Sequence, residues 1–226
     1  MFFNKIIQYG NESWYFNIFN YKRTILIGNG IDKNRINQRE KKYTWPNNQL
    51  RLLTVATIVE YQGIDRMIMA ISKWNKDNHP YNIRFDVIGD GPNLDFLKKL
   101  VLKNNLEDYI IFHGRRDQKY ISEYYALSHL AVSALSLYKV KLTIASALKA
   151  REYCLCGIPF IATGADPDFS EKQTFRFEVA NDNGIEDILK IFSKYPGVYH
   201  LLDDSKIRKY AIDNLSFSSK LKKIGL

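Results

Sequence analysis

At 226 residues, with 46% hydrophobic and 25% charged side chains, the chain can bury one proper core and has the balance of an ordinary globular protein. Its formal charge of +9 favours an anionic partner, whether nucleotide phosphate, nucleic acid or membrane surface, without choosing among them. No apolar run approaches the roughly 20 residues of a bilayer-spanning helix, the N-terminus lacks the layout of a signal peptide, and His79, His113, His129 and His200 are too scattered for a metal-ligand spacing.

Residues 1–22 are aromatic-rich without clear periodicity and read as a remnant or linker; residues 23–226 read as a single domain. Thr24–Ile27 is a short strand ending in the turn Gly28-Asn29-Gly30-Ile31-Asp32. Lys33 to Asn48 is polar and basic, an exposed loop long enough to line a site or join two lobes. Leu50 to Ile58 is apolar on both alternations, as a strand of a parallel sheet covered on both faces should be. Ile64, Met67, Ile68 and Ile71 carry a helical period through Ile64–Trp74. Arg84–Ile88 is a second buried strand, running into the turn Gly89-Asp90-Gly91-Pro92, and Asn93 is placed to cap a helix over Leu94–Lys103.

Tyr109–Phe112 is the next strand, ending at Gly114, and Ile121–Leu127 the next helix. Leu130–Leu135 is a strand, followed by a helix over Ala145–Cys156 that Gly157 terminates and Pro159 cannot extend. Ile158–Ala162 and Phe175–Val179 are strands; Ile185–Tyr195 and Asp203–Leu215 are helices. Cys154 and Cys156, two apart on one helix, point to different faces and are expected to be reduced core residues of a cytosolic protein.

Strands alternating with helices at this pace argue for right-handed βαβ units in an α/β, doubly wound, mostly parallel (Rossmann-like) sheet. Such sheets bind ligands beyond the carboxyl ends of their strands. The candidate rim is therefore Thr57–Gly63, Gly89–Pro92, Gly114–Asp117, Leu135–Ser146 and Thr163–Phe169. Arg115 and Arg116, then Lys139 and Lys141, then Lys149 and Arg151 all fall on it, in position to cradle a diphosphate. Glu152 sits among them, able to accept the two hydroxyls of a ribose or to pair with Arg151 or Lys149. Asp166 and Asp168 suit a turn as well as acid chemistry. Gly89-Asp90-Gly91 lacks the second half of G-x-G-x-x-G, so no dinucleotide fingerprint is present. Aromatic residues fall in predicted strands and helices rather than interleaved with Lys and Arg, which argues against a nucleic-acid partner.

Four segments, in order, resemble the donor-binding domain of group 1 (family 4-like, retaining, GT-B fold) glycosyltransferases. Asn29-Gly30-Ile31-Asp32 resembles the family's N-G-[IV]-D after the interdomain linker. Gln62-Gly63-Ile64-Asp65-Arg66 resembles its K-G-x-D or H-G-x-D-R segment, Val87 to Pro92 its strand end φ-x-G-x-G-P, and Glu152 with Gly157 and Pro159 its E-[AY]-x-x-x-G-x-P. The stretch Leu137–Ile161 with Asp166-Pro167-Asp168-Phe169 is similar to a bacterial surface-polysaccharide branch. The match runs from about residue 24 to 195.

The resemblance implies the C-terminal half of a GT-B fold, taking a nucleotide-diphosphate sugar as substrate and needing no metal or other cofactor. It implies a ribose bond from Glu152 and a backbone approach to the phosphates at Gly63. Positions where the family carries Arg and Lys are Thr57 and Gln62 here, leaving Lys139, Lys141 or Lys149 to substitute. The first of two glutamates usual in the family falls at Ile144. About 20 residues precede the match, against the roughly 150 or more of an acceptor lobe. The implied activity is hexosyl transfer in polysaccharide biosynthesis, cytoplasmic or at the inner membrane face with peripheral membrane contact. It is contingent on a separate acceptor-binding lobe or chain. The alternative is a degenerate, non-catalytic relative serving as a binding or scaffolding protein.

Overall fold

Successive strand residues point to opposite faces, so a strand that is apolar at every position needs cover on both sides. The computed structural model describes residues 6–8, 24–40, 49–77, 79–170 and 172–225 and shows that arrangement. Leu52, Phe85, Val87, Val132 and Ile161 enter one apolar cluster, while Leu53, Ile88, Ala131, Phe160 and Ala162 enter another on the opposite face. The strands are Ile6–Gln8 (β1), Thr24–Leu26 (β2), Gln49–Val55 (β3), Asn82–Ile88 (β4), Ile110–Gly114 (β5), Leu130–Val132 (β6), Phe160–Thr163 (β7) and Arg176–Val179 (β8). The helices are Ile64–Lys76 (α1), Leu94–Lys103 (α2), Gln118–Leu127 (α3), Leu148–Cys156 (α4), Glu186–Tyr199 (α5), Asp204–Tyr210 (α6) and Phe217–Ile224 (α7). Met67, Ile71 and Trp74 of α1, Leu97 of α2 and Phe192 of α5 fill the first cluster. Tyr125 of α3, Tyr153 and Leu155 of α4 and Ile207 of α6 fill the second.

The main sheet has six parallel strands in the order β5-β4-β3-β6-β7-β8. From β3 the chain winds outward through β4 and β5, then returns to the other side of β3 and winds outward through β6, β7 and β8. The direction reverses between β3 and β6. There the loops leaving neighbouring strands diverge, which opens a crevice at the carboxyl ends. β1 and β2 form a separate two-stranded parallel sheet.

The differences from the sequence expectations have local causes. β1 lies within the 1–22 segment read as a remnant or linker, and the rest of that segment lies outside the described residues. Of the loop expected to be exposed from Lys33, Ile36 and Arg39 are buried: Arg39 Nε meets Asp204 at 3.0 Å and its fork donates to the Tyr125 and Ser128 carbonyls. Residues 41–48 lie outside the described set. Asn93 makes no side-chain cap and sits in helical conformation; the turn into α2 is closed by Leu94 N–H donating to Gly91 O at 3.1 Å. The strand expected to run to Leu135 leaves the sheet after Val132, and Leu135 N–H turns to Gln62 O instead. The final helix ends at Tyr210, widens into a π turn over Ala211–Leu215, and restarts as α7 at Phe217, capped by the Ser216 hydroxyl, which accepts from Ser219 N–H. Cys154 and Cys156 are free and buried, and burial pushes both thiols up, Cys156 to about 12.

Candidate functional site

The crevice is built by loops that touch through glycine. Gly89 has φ +135°, and a Cβ there would lie 1.8 Å from Ala56 O, so the β3 and β4 loops approach only because that atom is missing. Gly63 has φ +67° and joins a short 3₁₀ turn, Glu60–Gln62, to the first turn of α1. A Cβ on it would lie 2.7 Å from both Leu135 Cβ and Ser136 Oγ. It thus brings the β3 loop against the β6 loop across the switch point. Its own N–H is taken by Glu60 O at 3.1 Å, so its contribution is close approach rather than a free donor.

Lys149, on the first turn of α4, reaches across to β3 and the loop that follows it. Its Nζ donates to Gln62 Oε1 at 2.5 Å and to Thr54 Oγ1 at 3.3 Å. Thr54 in turn donates to Val132 O at 2.9 Å, which ties the cluster to both central strands. Burial lowers the Lys149 amine to about 7, and no ion pair among the described residues offsets it. Glu152, one turn along α4, keeps 18% of its side chain exposed. It meets Arg35 Nε at 3.1 Å and accepts from Tyr125 OH at 3.4 Å. Burial raises its pKa, opposed by Arg35 and by the Tyr125 hydrogen bond.

The other sequence candidates scatter around this centre. Lys139 pairs with Asp65 of α1 at 2.7 Å. Lys141 closes the 3₁₀ turn Leu137–Val140 in left-handed conformation, with its side chain exposed. Arg115, 84% exposed, stands 3.8 Å from Asp90. Together with Thr57, Gly89, Arg116 and Ile121 it edges an open hollow of about 490 Å³ over the ends of β3, β4 and β5. Arg116 donates to His113 O at 2.8 Å and lies 4.6 Å over the Tyr120 ring.

Arg151 is a correction. The sequence expects it on the rim with the other cations, but it is wholly buried. Its fork takes both oxygens of Asp166 and, at 2.6 Å, Asp168 Oδ2, while Nε donates to Asn29 O at 3.2 Å. Lys220 of α7 completes the cluster on Asp168. The two aspartates are therefore buried counterions rather than plain turn residues. Glu152 accordingly pairs with Arg35, and neither Arg151 nor Lys149 reaches it. Ile144 forms an isolated bridge with Ala165, fastening the β6–α4 loop to the loop after β7.

Sequence reasoning missed Thr54, Gln62 and Arg35 as the groups that hold Lys149 and Glu152. A lone hydroxyl in the apolar run Leu52-Leu53-Thr54-Val55 was the one visible signal for the first. Nothing local marks Arg35, which is 117 residues from its partner in the chain.

Fold and site together define a Rossmann-like, mostly parallel α/β domain of GT-B type, with a lysine amine and a carboxylate near its switch point. The model of the family "Glycosyl transferases group 1" matches residues 35–171, more than half of the chain, and the chain belongs to that family. Protein CapJ of Staphylococcus aureus is 36% identical over 69 residues, covering 30% of this chain and 17% of that protein. A glycosyltransferase from Rickettsia africae superposes with TM-score 0.72 at 16% identity, over 98% of this chain and 62% of its own. Anabaena Alr3699/HepE, in complex with UDP, superposes with TM-score 0.73 at 16% identity, over 99% of this chain and 63% of its own. The chain thus spans about three fifths of the length of these solved structures and a smaller part of CapJ.

Proposed function

We propose that this domain is the C-terminal, donor-binding half of a GT-B glycosyltransferase, and that it holds a nucleotide-diphosphate sugar for hexosyl transfer in polysaccharide biosynthesis. The observation that carries this reading is the pairing, one helical turn apart on α4, of an amine without a carboxylate partner and a carboxylate at the crevice wall. A diphosphate leaving group develops negative charge as the glycosyl bond breaks, and a preorganised cation beside it lowers the barrier. Lys149 takes that role. Glu152 accepts the ribose hydroxyls, with Arg35 moving aside or sharing one oxygen. Arg115 and the hollow at Gly89 and Thr57 lie where the remainder of the nucleotide extends, and Lys139 and Lys141 flank the sugar side. The Anabaena relative, which shares the fold, was solved with UDP. The acceptor is bound by a second lobe, on the same chain or another, that faces the crevice.

Titration calorimetry of the chain with UDP and GDP tests this directly. Saturable binding in the micromolar to low millimolar range is expected with at least one of them. Glu152→Gln, which keeps the volume and removes the charge, should weaken that affinity by about tenfold, as loss of charge-assisted hydrogen bonds to a ribose does. No heat with either nucleotide at millimolar concentration would remove the reading.

Ile144 favours a second reading. The family resemblance expects a carboxylate there, and the structure places an aliphatic side chain on a loop locked to Ala165. A domain that binds nucleotide without turning over its sugar would serve as a binding or scaffolding protein. Release of UDP from a UDP-sugar by the chain supplied with its acceptor lobe would exclude this; binding without release, restored by Ile144→Glu, would establish it.

A further inference from the structure

The crevice cation differs from a surface lysine in what surrounds it. The Nζ of Lys149 has two neutral oxygen partners, Gln62 Oε1 and Thr54 Oγ1, and both residues are buried. The titratable groups on the two helices packed around it are committed elsewhere, and Glu60, on the turn that carries Gln62, is exposed to solvent. On α1, Asp65 takes Lys139, and Arg66 donates to the carbonyls of Leu135, Ala180 and Gly184. On α4 itself, Arg151 is held by Asp166 and Asp168, Glu152 by Arg35, and the Tyr153 hydroxyl lies between Val55 N–H and Val132 O. An ammonium in this place therefore has hydrogen-bond acceptors and no negative charge. A desolvated charge without a counter-charge gives up its proton more readily.

We propose that Lys149 is largely neutral in the free protein at mildly alkaline pH and takes up a proton from solvent when a nucleoside diphosphate enters the crevice. Donor affinity is then set by pH. This inference rests on the donor-binding reading above and adds to it a linkage between ligand and proton. The proton moves from buffer onto the lone pair of Nζ, no covalent bond is made or broken in the ligand, and the diphosphate supplies the counter-charge that the protein lacks. Desolvation alone brings the free amine to about 7, close to the physiological range, so the ligand-induced change falls where it can be measured. Gln62 and Thr54 act as positioning residues: they hold the amine at the switch point in either protonation state.

The test is calorimetry of the whole 226-residue chain with UDP from pH 7.5 to 9.5, in pairs of buffers with different ionisation heats. The terminal phosphate of UDP, with a pKa near 6, is already ionised throughout this range. The expected result is uptake approaching one proton per nucleotide at pH 8, and a Kd that rises about tenfold per pH unit above that. Lys149→Arg keeps a charge that cannot be lost and should bind with little pH dependence and no uptake. Binding by the unaltered chain with no proton uptake and a flat pH profile would overturn the inference and leave the donor-binding reading in place. No binding at any pH would remove that reading and the inference with it. The unaltered chain alone decides the question if Lys149→Arg fails to fold.

Discussion

Replacing Arg151 by Met should be among the most destabilising single changes in this protein. The guanidinium is fully buried and joins four segments: α4, the loop after β7 through Asp166 and Asp168, the entry segment through Asn29 O, and α7 through the shared Asp168–Lys220 contact. Removing it leaves two carboxylates buried. Breaking a buried ion pair on one side costs about 3–5 kcal/mol. Two compensations reduce that figure here. Lys220 remains on Asp168, and the Asp168 N–H still donates to Asp166 Oδ1 at 3.1 Å. The low end, about 3 kcal/mol, is therefore the expectation, against a total of roughly 5–15 kcal/mol for a typical domain. Urea unfolding followed by far-UV circular dichroism reads it as a midpoint lowered by about 1–1.5 M at a slope of 2–3 kcal/mol/M. Arg151→Met with Asp166→Asn should lose less than the sum of the two single changes, because the second removes the charge that the first strands. A loss under about 1 kcal/mol for Arg151→Met would refute the reasoning and mean that the cluster is hydrated rather than sealed.

The same geometry sets an acid limit. Burial opposes ionisation of Asp168 and Asp86, but Lys220 and Arg151 outweigh it at the first, and His113, Arg84 and Arg51 at the second, so both folded-state pKa values lie below the usual 3.8. A depressed carboxylate contributes stability that is fully present above its unfolded pKa and is lost as pH falls through its folded one. The contribution of these two groups to the urea midpoint should therefore be constant from pH 7 to 5 and fall away below pH 4, with a shallower acid limb in Asp86→Asn; an unchanged acid limb in that variant would contradict the assignment. Arg35→Ala should cost less than about 1 kcal/mol of stability, since exposed pairs are worth little and this guanidinium is 59% exposed. It should tighten UDP binding up to about fivefold by freeing Glu152, a gain within the worth of one such pair; weaker binding would place Arg35 with the ligand instead.

Much of the fold was legible because its causes are local. Leu52-Leu53 and Val87-Ile88 are apolar on both alternations, which only a sheet covered on both faces satisfies, and the helical periods between them imply crossovers. Gly157 and Pro159 end α4 through backbone conformation alone, and Gly157 sits at φ +78° where a left-handed cap was expected. The elements that escaped were weakly patterned. α7 spans eight residues and exposes Phe217 and Leu221, so its apolar face does not mark it as a core helix. β1 spans three residues in a stretch without period.

At the candidate site the division is sharper. Sequence alone placed Lys149, Arg151 and Glu152 on one helix entered from a lysine-bearing loop, because the 3.6-residue repeat and the β-α alternation put them there. It could not sort them, since three charges on adjacent turns look alike until something is packed against each. The tertiary structure made that choice: Arg151 met two aspartates from beyond β7 and became a sealed structural clasp. Lys149 met only neutral oxygens from β3 and its loop, and Glu152 met an arginine from the entry segment. Charge is a property of the residue. Its energy depends on the dielectric and the counter-charges around it, and those are supplied by segments far away in the chain.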